Sequence, residues 1–246
     1  MKELMLPYCE ERKMPITMLV LHCNAFSGEK CMQVFNEYKV STHYVIDEKG
    51  ELIKCVSEEK TAYHAGKGFW RGQDCKLNAS SIGIEICSQS LGQDDYDEVQ
   101  IKSLIALLKQ LIAKYKIEAV NIVGHSDIAP TRKADPGKAF PWKRLYDEGI
   151  GVFYNIKDAD KIKTNNIEKL LAQIGYDTRD DEAIKASAYA FCRHFFPQFV
   201  ISETVETLID NPLIDNFDFM QDVKFLETLK ATVYAYCKAS NAPCNI

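Results

Sequence analysis

The feature that most constrains the fold is an amphipathic stretch that leads directly into a short apolar run. Between residues 98 and 115, apolar side chains recur at the spacing of one helix face, and lysines occupy the other face. Asp97 and Gln100 fit a capping box at the start of this helix. The run at 119–123 then predicts a buried strand. A helix that leads into a buried strand favours an α/β fold.

Three further segments predict strands of the same sheet. Residues 14–21 are apolar and β-branched, which predicts a central strand that is buried on both faces and ends at His22. Residues 41–56 contain two β-rich runs around a glycine turn, the pattern of a hairpin. Residues 80–87 predict another strand, and residues 27–38 predict a short helix over the sheet.

The character of the chain changes after residue 145. Residues 152–166 are polar and irregular, which predicts a linker. Three helices are expected after it, at 167–174, 183–196 and 223–238, and Gly175 is expected to end the first of them. Residues 201–220 match no clear pattern. We therefore expect two domains, residues 1–155 and residues 156–246, the second helical and without catalytic residues, with His194 in a structural role.

Composition limits the partners and the compartment. The net charge of −5 argues against a nucleic-acid partner, because phosphate contacts need a basic face. No apolar run reaches membrane-spanning length, and the first residues lack the apolar core of a signal peptide. The nine cysteines form no Cys-x-x-Cys pairs, which favours reduced thiols. We expect a cytoplasmic monomer; the alternative is a periplasmic or cell-envelope protein whose export signal was removed or is not needed.

The loop at residues 124–136 concentrates reactive side chains. It carries His125, Lys133 and Asp135, and two prolines prevent a helix or strand from continuing through it. A rigid loop after a strand is a common position for catalytic groups. His22, at the predicted end of another strand, has two interpretations. It either bonds to backbone at the end of the strand or binds a metal.

Glu85 lies between apolar residues in the predicted strand at 80–87. A buried carboxylate is costly to charge unless it is paired. One interpretation places Glu85 on the solvent side of a strand whose isoleucines face the core. The other places it in a pocket, because Gly83 leaves open space beside it.

His22, His125 and Asp135 together form a set of two histidines and one carboxylate. Such a set suits Zn²⁺, which takes three protein ligands in catalytic sites and leaves a fourth position for water. Glu85 would then act as the general base, and Lys133 would stabilise the developing oxyanion. The chain has no HExxH motif, so spacing alone does not define the site.

Five blocks carry a family resemblance, at residues 21–22, 41–44, 63–66, 81–86 and 124–137. In this order, within residues 14–146, they resemble the zinc N-acetylmuramoyl-L-alanine amidases of the amidase-2 (AmpD–AmiD) type, which are related to the peptidoglycan recognition proteins. The resemblance implies a mixed central sheet with helices on both faces. One departure is Tyr63, which stands where relatives usually carry tryptophan.

The resemblance also implies roles for individual residues. His22, His125 and Asp135 would bind zinc, Glu85 would be the catalytic acid and base, and Lys133 would be the cation at the oxyanion. The substrate is expected to contact three further residues, His43, His64 and Asn78.

The implied activity is hydrolysis of the amide between N-acetylmuramic acid and L-alanine, in peptidoglycan or in a free anhydro-muropeptide. The alternative is a non-catalytic peptidoglycan-binding protein, because some relatives lack a ligand and only bind, whereas this chain retains all five groups. A metal-free hydrolase that uses a cysteine is a third interpretation, but no Cys–His pairing is evident.

Residues 170–177 and 190–197 resemble the helical module of the AmiD-type enzymes, which is often called peptidoglycan-binding. We expect this second domain to be dispensable for the chemistry. A protein that ends near residue 155 would then cleave small muropeptides at the rate of the full chain.

Overall fold

The structure is a computed structural model, and it describes residues 2–200, 204–205 and 217–243. Its described strands are β1 (Lys2–Glu3), β2 (Cys9–Glu11), β3 (Met18–Asn24), β4 (Tyr44–Ile46), β5 (Leu52–Lys54), β6 (Lys60–Ala62), β7 (Phe69–Trp70), β8 (Gln73–Asp74), β9 (Ser81–Cys87) and β10 (Ile122–Gly124). Its α-helices are labelled α1 (Gly28–Tyr38), α2 (Leu77–Ser80), α3 (Glu98–Tyr115), α4 (His125–Ile128), α5 (Trp142–Asp147), α6 (Ile167–Ile174), α7 (Asp181–Phe195) and α8 (Val223–Ala239). Short 3-10 helices lie at Ala119–Asn121, Ile156–Lys161, Pro197–Phe199 and Asp218–Gln221.

Six strands form the central sheet in the order β1-β5-β4-β9-β3-β10. The pairs β4–β9, β9–β3 and β3–β10 are parallel, whereas β4 and β5 form the antiparallel hairpin that the sequence predicts. The expectation of a mixed central sheet is therefore confirmed. Because β3, β9 and β10 are parallel, their carboxyl ends meet at one edge of the sheet.

Alternation along the strands gives the sheet two different faces. On one face, side chains such as Leu21 and Ile84 pack against α3 and α5 in an apolar core. On the other face, Met18, Val20 and Val123 pack against the C-terminal helices α6, α7 and α8. Helices thus cover both faces, as expected.

The C-terminal helices share one core with the sheet. Tyr189 and Phe225, on α7 and α8, belong to the same buried cluster as Met18 and Val20 of β3. The three helices lie where the sequence predicts them, and Gly175 ends α6. The division into two domains at residue 155 stays a prediction. Residues before and after this position pack directly against one another in the shared core. Residues 201–203 and 206–216 of the unassigned segment lie outside the described residues.

Several predicted boundaries differ from the structure. β3 does not end at His22 but continues to Asn24. The run at 119–123 is strand only from residue 122, because its first three residues form a 3-10 turn. Residues 152–166 are packed rather than loose: Ile162 is 1% exposed and belongs to the shared core.

The predicted capping box is wrong in its contacts. Asp97 is the N-cap of α3, but its side chain makes no cap hydrogen bond. Gln100 instead donates from Nε2 to the carbonyl oxygens of Asp47 and Cys87, at 2.9 and 2.7 Å. The start of α3 is thereby tied to the end of β9.

Two whole-chain expectations can be compared with the described residues. None of the helices in the described ranges has both the length and the apolar character needed to cross a bilayer. Seven cysteines are free thiols, as expected. Cys237 is disulfide-bonded, which departs from the expectation of reduced thiols.

Candidate metal centre

The structure brings His22, His125 and Asp135 together at the carboxyl edge of the sheet. His22 lies in β3, and His125 is the first residue of α4, directly after β10. The two Nδ1 atoms are 3.0 Å apart, and they lie 3.2 and 3.1 Å from Oδ2 of Asp135. In the described part of the chain, this is the one group of three or more His, Cys, Asp or Glu side chains placed to share a metal ion.

The outward nitrogens of both imidazoles have partners of their own. Nε2 of His125 lies 3.2 Å from the carbonyl oxygen of Ala65, which can only accept, so this nitrogen carries the proton. Nε2 of His22 lies 3.0 Å from Nδ1 of His64. Nε2 of His64 faces the hydroxyl of Ser81, which itself donates to a backbone carbonyl and can accept here. His64 Nδ1 is therefore the acceptor, and His22 donates from Nε2.

This assignment leaves three acceptors facing one another. With both imidazoles neutral, the Nδ1 lone pairs of His22 and His125 and Oδ2 of Asp135 face one another at 3.0 to 3.2 Å. Burial, followed by the nearby His125, lowers the pKa of His22 to about 4, so that the ring is neutral. A cation is needed to stabilise such an arrangement, and the donor set of two imidazoles and one carboxylate fits zinc.

The loop that carries Ala65 is held in place by Asn78. Its Oδ1 accepts hydrogen bonds from the backbone N–H groups of His64 and Ala65, at 3.1 and 2.7 Å. One amide side chain thus fixes the two groups that accept from the outward nitrogens of His22 and His125. Partners of this kind orient metal ligands and hold their tautomers.

The space beside Gly83 is not an open pocket, contrary to our expectation. A Cβ atom at this position would lie 2.4 Å from Cγ of His64. The imidazole of His64 fills the space, and Gly83 is needed for its close approach.

His43 lies behind His64 and is fully buried. Its Nδ1 accepts from the backbone N–H of Gly83 at 3.0 Å, and its Nε2 lies 3.2 Å from the carbonyl oxygen of Lys60. Its ring therefore offers no surface to a ligand in this structure. His64 and Asn78 are half-buried and make the contacts described above. Substrate contact by these three residues stays a prediction.

Glu85 pairs with His22 in the parallel register of β9 and β3, so both side chains point to the same face. Its Oε2 accepts a hydrogen bond from Nδ2 of Asn24 at 3.0 Å. Burial and, to a smaller degree, the charge of Asp135 raise the pKa of Glu85 to about 7, against the opposing effects of Asn24 and the Lys133 ammonium. Lys133 is half-buried in the loop at residues 124–136, which we call the metal loop, and lies close enough to influence that carboxylate.

Sequence reasoning missed residues that surround these groups. Asn24 was not singled out, although it lies two residues after His22 on the same face of a strand. Asp127 lies inside the predicted loop, and it accepts hydrogen bonds from Tyr176, just after α6, and from His194 on α7. Contacts between residues so far apart in sequence leave no periodic signal.

The fold and the site together define an α/β protein with the features of a metal-dependent hydrolase. A candidate metal centre lies at the carboxyl edge of its mixed sheet, and it is flanked by a carboxylate of raised pKa and a lysine. Such an arrangement suits the hydrolysis of a carbonyl compound.

Comparison with known proteins identifies the family. The N-acetylmuramoyl-L-alanine amidase family (Amidase_2) matches residues 12–138. The chain is 32% identical over 209 residues to the N-acetylmuramoyl-L-alanine amidase AmiD of Escherichia coli (strain K12), covering 74% of this chain and 75% of AmiD. It is 41% identical over 107 residues to the 1,6-anhydro-N-acetylmuramyl-L-alanine amidase AmpD of the same strain, covering 44% of this chain and 57% of AmpD.

Solved structures agree with this match over nearly the whole chain. A complex of E. coli AmiD with anhydro-N-acetylmuramic acid-L-Ala-D-γ-Glu-L-Lys superposes with a TM-score of 0.73 at 27% identity, covering 95% of this chain and 94% of AmiD. AmpDH3 of Pseudomonas aeruginosa, in complex with an anhydromuramic pentapeptide, gives a TM-score of 0.72 at 28% identity, with 92% of both chains covered. The chain therefore belongs to the N-acetylmuramoyl-L-alanine amidase family, which is a family of enzymes, and the family resemblance of the sequence is confirmed.

Proposed function

We propose that this chain is a zinc-dependent amidase that hydrolyses the bond between the lactyl group of N-acetylmuramic acid and L-alanine. The observation that carries the proposal is the cluster of His22, His125 and Asp135 with Glu85 on the adjacent strand. The bound ligands of AmiD and AmpDH3, both anhydro-muramyl peptides, support a substrate of this class.

In this proposal, Nδ1 of His22, Nδ1 of His125 and Oδ2 of Asp135 would hold the zinc ion. When bound, zinc supplies Lewis acidity, which polarises a carbonyl group and lowers the pKa of water. His64 and Ala65 orient the two imidazoles through their outward nitrogens.

Glu85 is proposed to act first as the general base and then as the general acid of the reaction. As the oxygen of water forms its bond to the carbonyl carbon, the Glu85 carboxylate accepts the proton that the water loses. When the C–N bond breaks, the same carboxyl group returns that proton to the departing amine of L-alanine. A pKa of about 7 suits both steps, since the group exchanges protons readily in either direction near neutrality.

Lys133 contributes charge. Its ammonium is proposed to lie beside the carbonyl oxygen as that oxygen becomes negative, and so to stabilise the transition state more than the bound substrate. Asn24 donates from Nδ2 to the Glu85 carboxylate, which limits the rotamers that Glu85 can adopt.

The proposal is tested by incubating the purified chain with a free anhydro-muropeptide and, separately, with intact sacculi. Mass spectrometry should find peptides with a free L-alanine amine and sugars with a free lactyl carboxylate. Cleavage should stop after chelation of the metal and return with added zinc. The ratio of the two rates tells whether free muropeptide or sacculus is the preferred substrate.

A chain that binds the muropeptide and releases no products would instead be a non-catalytic binding protein. The assignment of residues 156–246 as a peptidoglycan-binding domain also stays a prediction, and co-sedimentation of the full chain with sacculi tests it. The monomeric state stays a prediction that analytical ultracentrifugation can test. The cytoplasmic location stays a prediction that cell fractionation can test.

A further inference from the structure

The carboxylate of Asp127 connects the metal loop to the C-terminal helices. Asp127 lies two residues after His125, and its side chain is 1% exposed. Its Oδ2 accepts hydrogen bonds from the backbone N–H of Gly124 at 2.7 Å and from Nδ1 of His194 at 2.8 Å. Its Oδ1 accepts one from the hydroxyl of Tyr176 at 2.7 Å. A buried carboxylate needs such donors, and two of the three come from the C-terminal part of the chain.

The two donors from the C-terminal part are held by aromatic rings. Tyr176 is 1% exposed and packs edge-on against Trp70, with ring centroids 5.2 Å apart. The imidazole of His194 is stacked on Trp142, with ring centroids 3.7 Å apart and an angle of 15° between the planes. Both donors are buried against these rings, which restricts their rotation, so both help to fix the position of the carboxylate.

The turn that Asp127 closes also carries the proposed ligands. His125 follows Gly124, and the backbone N–H of Gly124 donates a hydrogen bond to the Asp127 carboxylate. Asp127 therefore sets the angle at which His125 leaves β10. Ser126 lies between His125 and Asp127, and its backbone N–H donates to the backbone oxygen of Asp135 at 2.8 Å. A shift of Asp127 would therefore move both His125 and Asp135.

We propose that Asp127, Tyr176 and His194 are positioning residues, through which the C-terminal helices set the geometry of His125 and Asp135 and hence the metal affinity of the site. This inference rests on the proposed zinc amidase function. The three residues act through the ligands and not on the substrate. Groups that support metal ligands in this way typically change metal affinity by roughly 10- to 100-fold when they are removed.

The test compares variants of the full chain. Tyr176→Phe and His194→Leu each remove one donor to Asp127. Each should weaken zinc binding, measured by competition with a chelator of known affinity, by about 10-fold or more. Each should also change the visible absorption spectrum of the Co²⁺-substituted protein, which reports the geometry of the ligands. His194→Gln keeps an N–H donor and should recover part of the affinity that His194→Leu loses.

Tyr236→Phe is the matched control. Tyr236 is also a buried tyrosine beside Trp70, with ring centroids 6.5 Å apart, but Asp127 accepts from Tyr176 instead. Its removal should leave zinc affinity and the Co²⁺ spectrum unchanged.

Two results would overturn the inference. One is zinc affinity and a Co²⁺ spectrum like those of the parent in both Tyr176→Phe and His194→Leu. The other is an equal loss of affinity in Tyr236→Phe, which would mean that any weakening of the core has this effect. In either case zinc binding and amidase activity of the parent would stand. A parent chain that binds no zinc would overturn the proposed function itself, and this inference with it.

Discussion

Nδ1 of His64 lies 3.0 Å from Nε2 of His22, on the side of the His22 imidazole that faces away from the other two proposed ligands. His64 is an acceptor in this contact, because its own Nε2 faces the hydroxyl of Ser81. The contact therefore keeps Nδ1 of His22 free of a proton and directed at His125 and Asp135. The family block at residues 63–66 thus supports the proposed ligands.

Replacing Gly83 with alanine should disturb this support. The new Cβ would lie 2.4 Å from Cγ of His64 and would displace its ring. We expect Gly83→Ala to weaken zinc binding by roughly 10-fold or more, measured by chelator competition. In a His64→Ala background the same substitution should cost little further affinity, because the ring that it displaces is gone. Equal costs in the two backgrounds would show that the effect does not pass through His64.

Removing a proposed ligand should remove the metal. The parent is expected to contain about one zinc per chain, as three protein ligands and an open position imply. His125→Ala should lose most of that zinc when both proteins are purified alike and measured by atomic absorption. Full zinc content in His125→Ala would contradict the ligand assignment, and a Cys75→Ala protein, changed at an exposed thiol, serves as the control.

The pH dependence of the rate should respond to Asn24. Glu85 must be deprotonated to accept a proton, so kcat/KM should fall as the pH drops below its pKa of about 7. The hydrogen bond from Asn24 favours the charged carboxylate and lowers this pKa, so Asn24→Ala should move the acid limb of the profile to higher pH.

The control for this experiment is Asn36→Ala. Asn36 donates to a backbone carbonyl within α1 and makes no contact with Glu85 among the described residues. Its profile should match the parent profile. An acid limb that stays in place in Asn24→Ala, or moves to lower pH, would contradict the role given to the Asn24 contact.

A chain that ends near residue 155 should not fold stably, contrary to what the sequence led us to expect. Truncation would expose Met18, Val20 and Val123, each at most 1% exposed in the full chain. Burial of one such side chain contributes roughly 1.5–3 kcal/mol, and typical net stabilities are only about 5–15 kcal/mol. Circular dichroism should show no cooperative thermal transition. A truncated chain that melts cooperatively and cleaves muropeptides at the full rate would restore the original expectation.

The local features of the fold could be predicted from the sequence, whereas its long-range contacts could not. The apolar stripe of α3 was sufficient to predict that helix, and the glycine after α6 was sufficient to predict where α6 ends. Helix periodicity and a C-terminal glycine are local signals. The strand before His125 was predicted too long, since Ala119 and Val120 are as apolar in a 3-10 turn as they would be in a strand.

The residues of the site also differ in whether the sequence could predict them. The family blocks identified His22, Glu85 and Asp135 as residues of one site, although more than 60 residues separate His22 from Glu85 in the sequence. The bonds from Tyr176 and His194 to Asp127 were missed, because they depend on how α6 and α7 pack on the sheet. The expectation that the tail is dispensable for the chemistry does not take these contacts into account, and the truncated chain described above tests it.

Glu85 and Lys133 should act on the reaction and not on metal binding. Removing one group that stabilises the transition-state charge typically costs a factor of roughly 10² to 10³ in rate. Lys133→Ala should therefore keep its zinc and its thermal transition while losing turnover of a muropeptide by about that factor. Turnover near the parent rate would remove Lys133 from the mechanism.

The most direct test of the account is the rate at which zinc-loaded Glu85→Gln cleaves the muramoyl–alanine amide. The amide side chain preserves the shape of the glutamate and can still bond to Asn24, but it cannot take a proton from water. With zinc content and thermal unfolding like those of the parent, Glu85→Gln should lose at least about 100-fold in kcat. Cleavage near the parent rate by this zinc-loaded variant would show that Glu85 is only a residue of the strand, and it would contradict the mechanism proposed for this amidase.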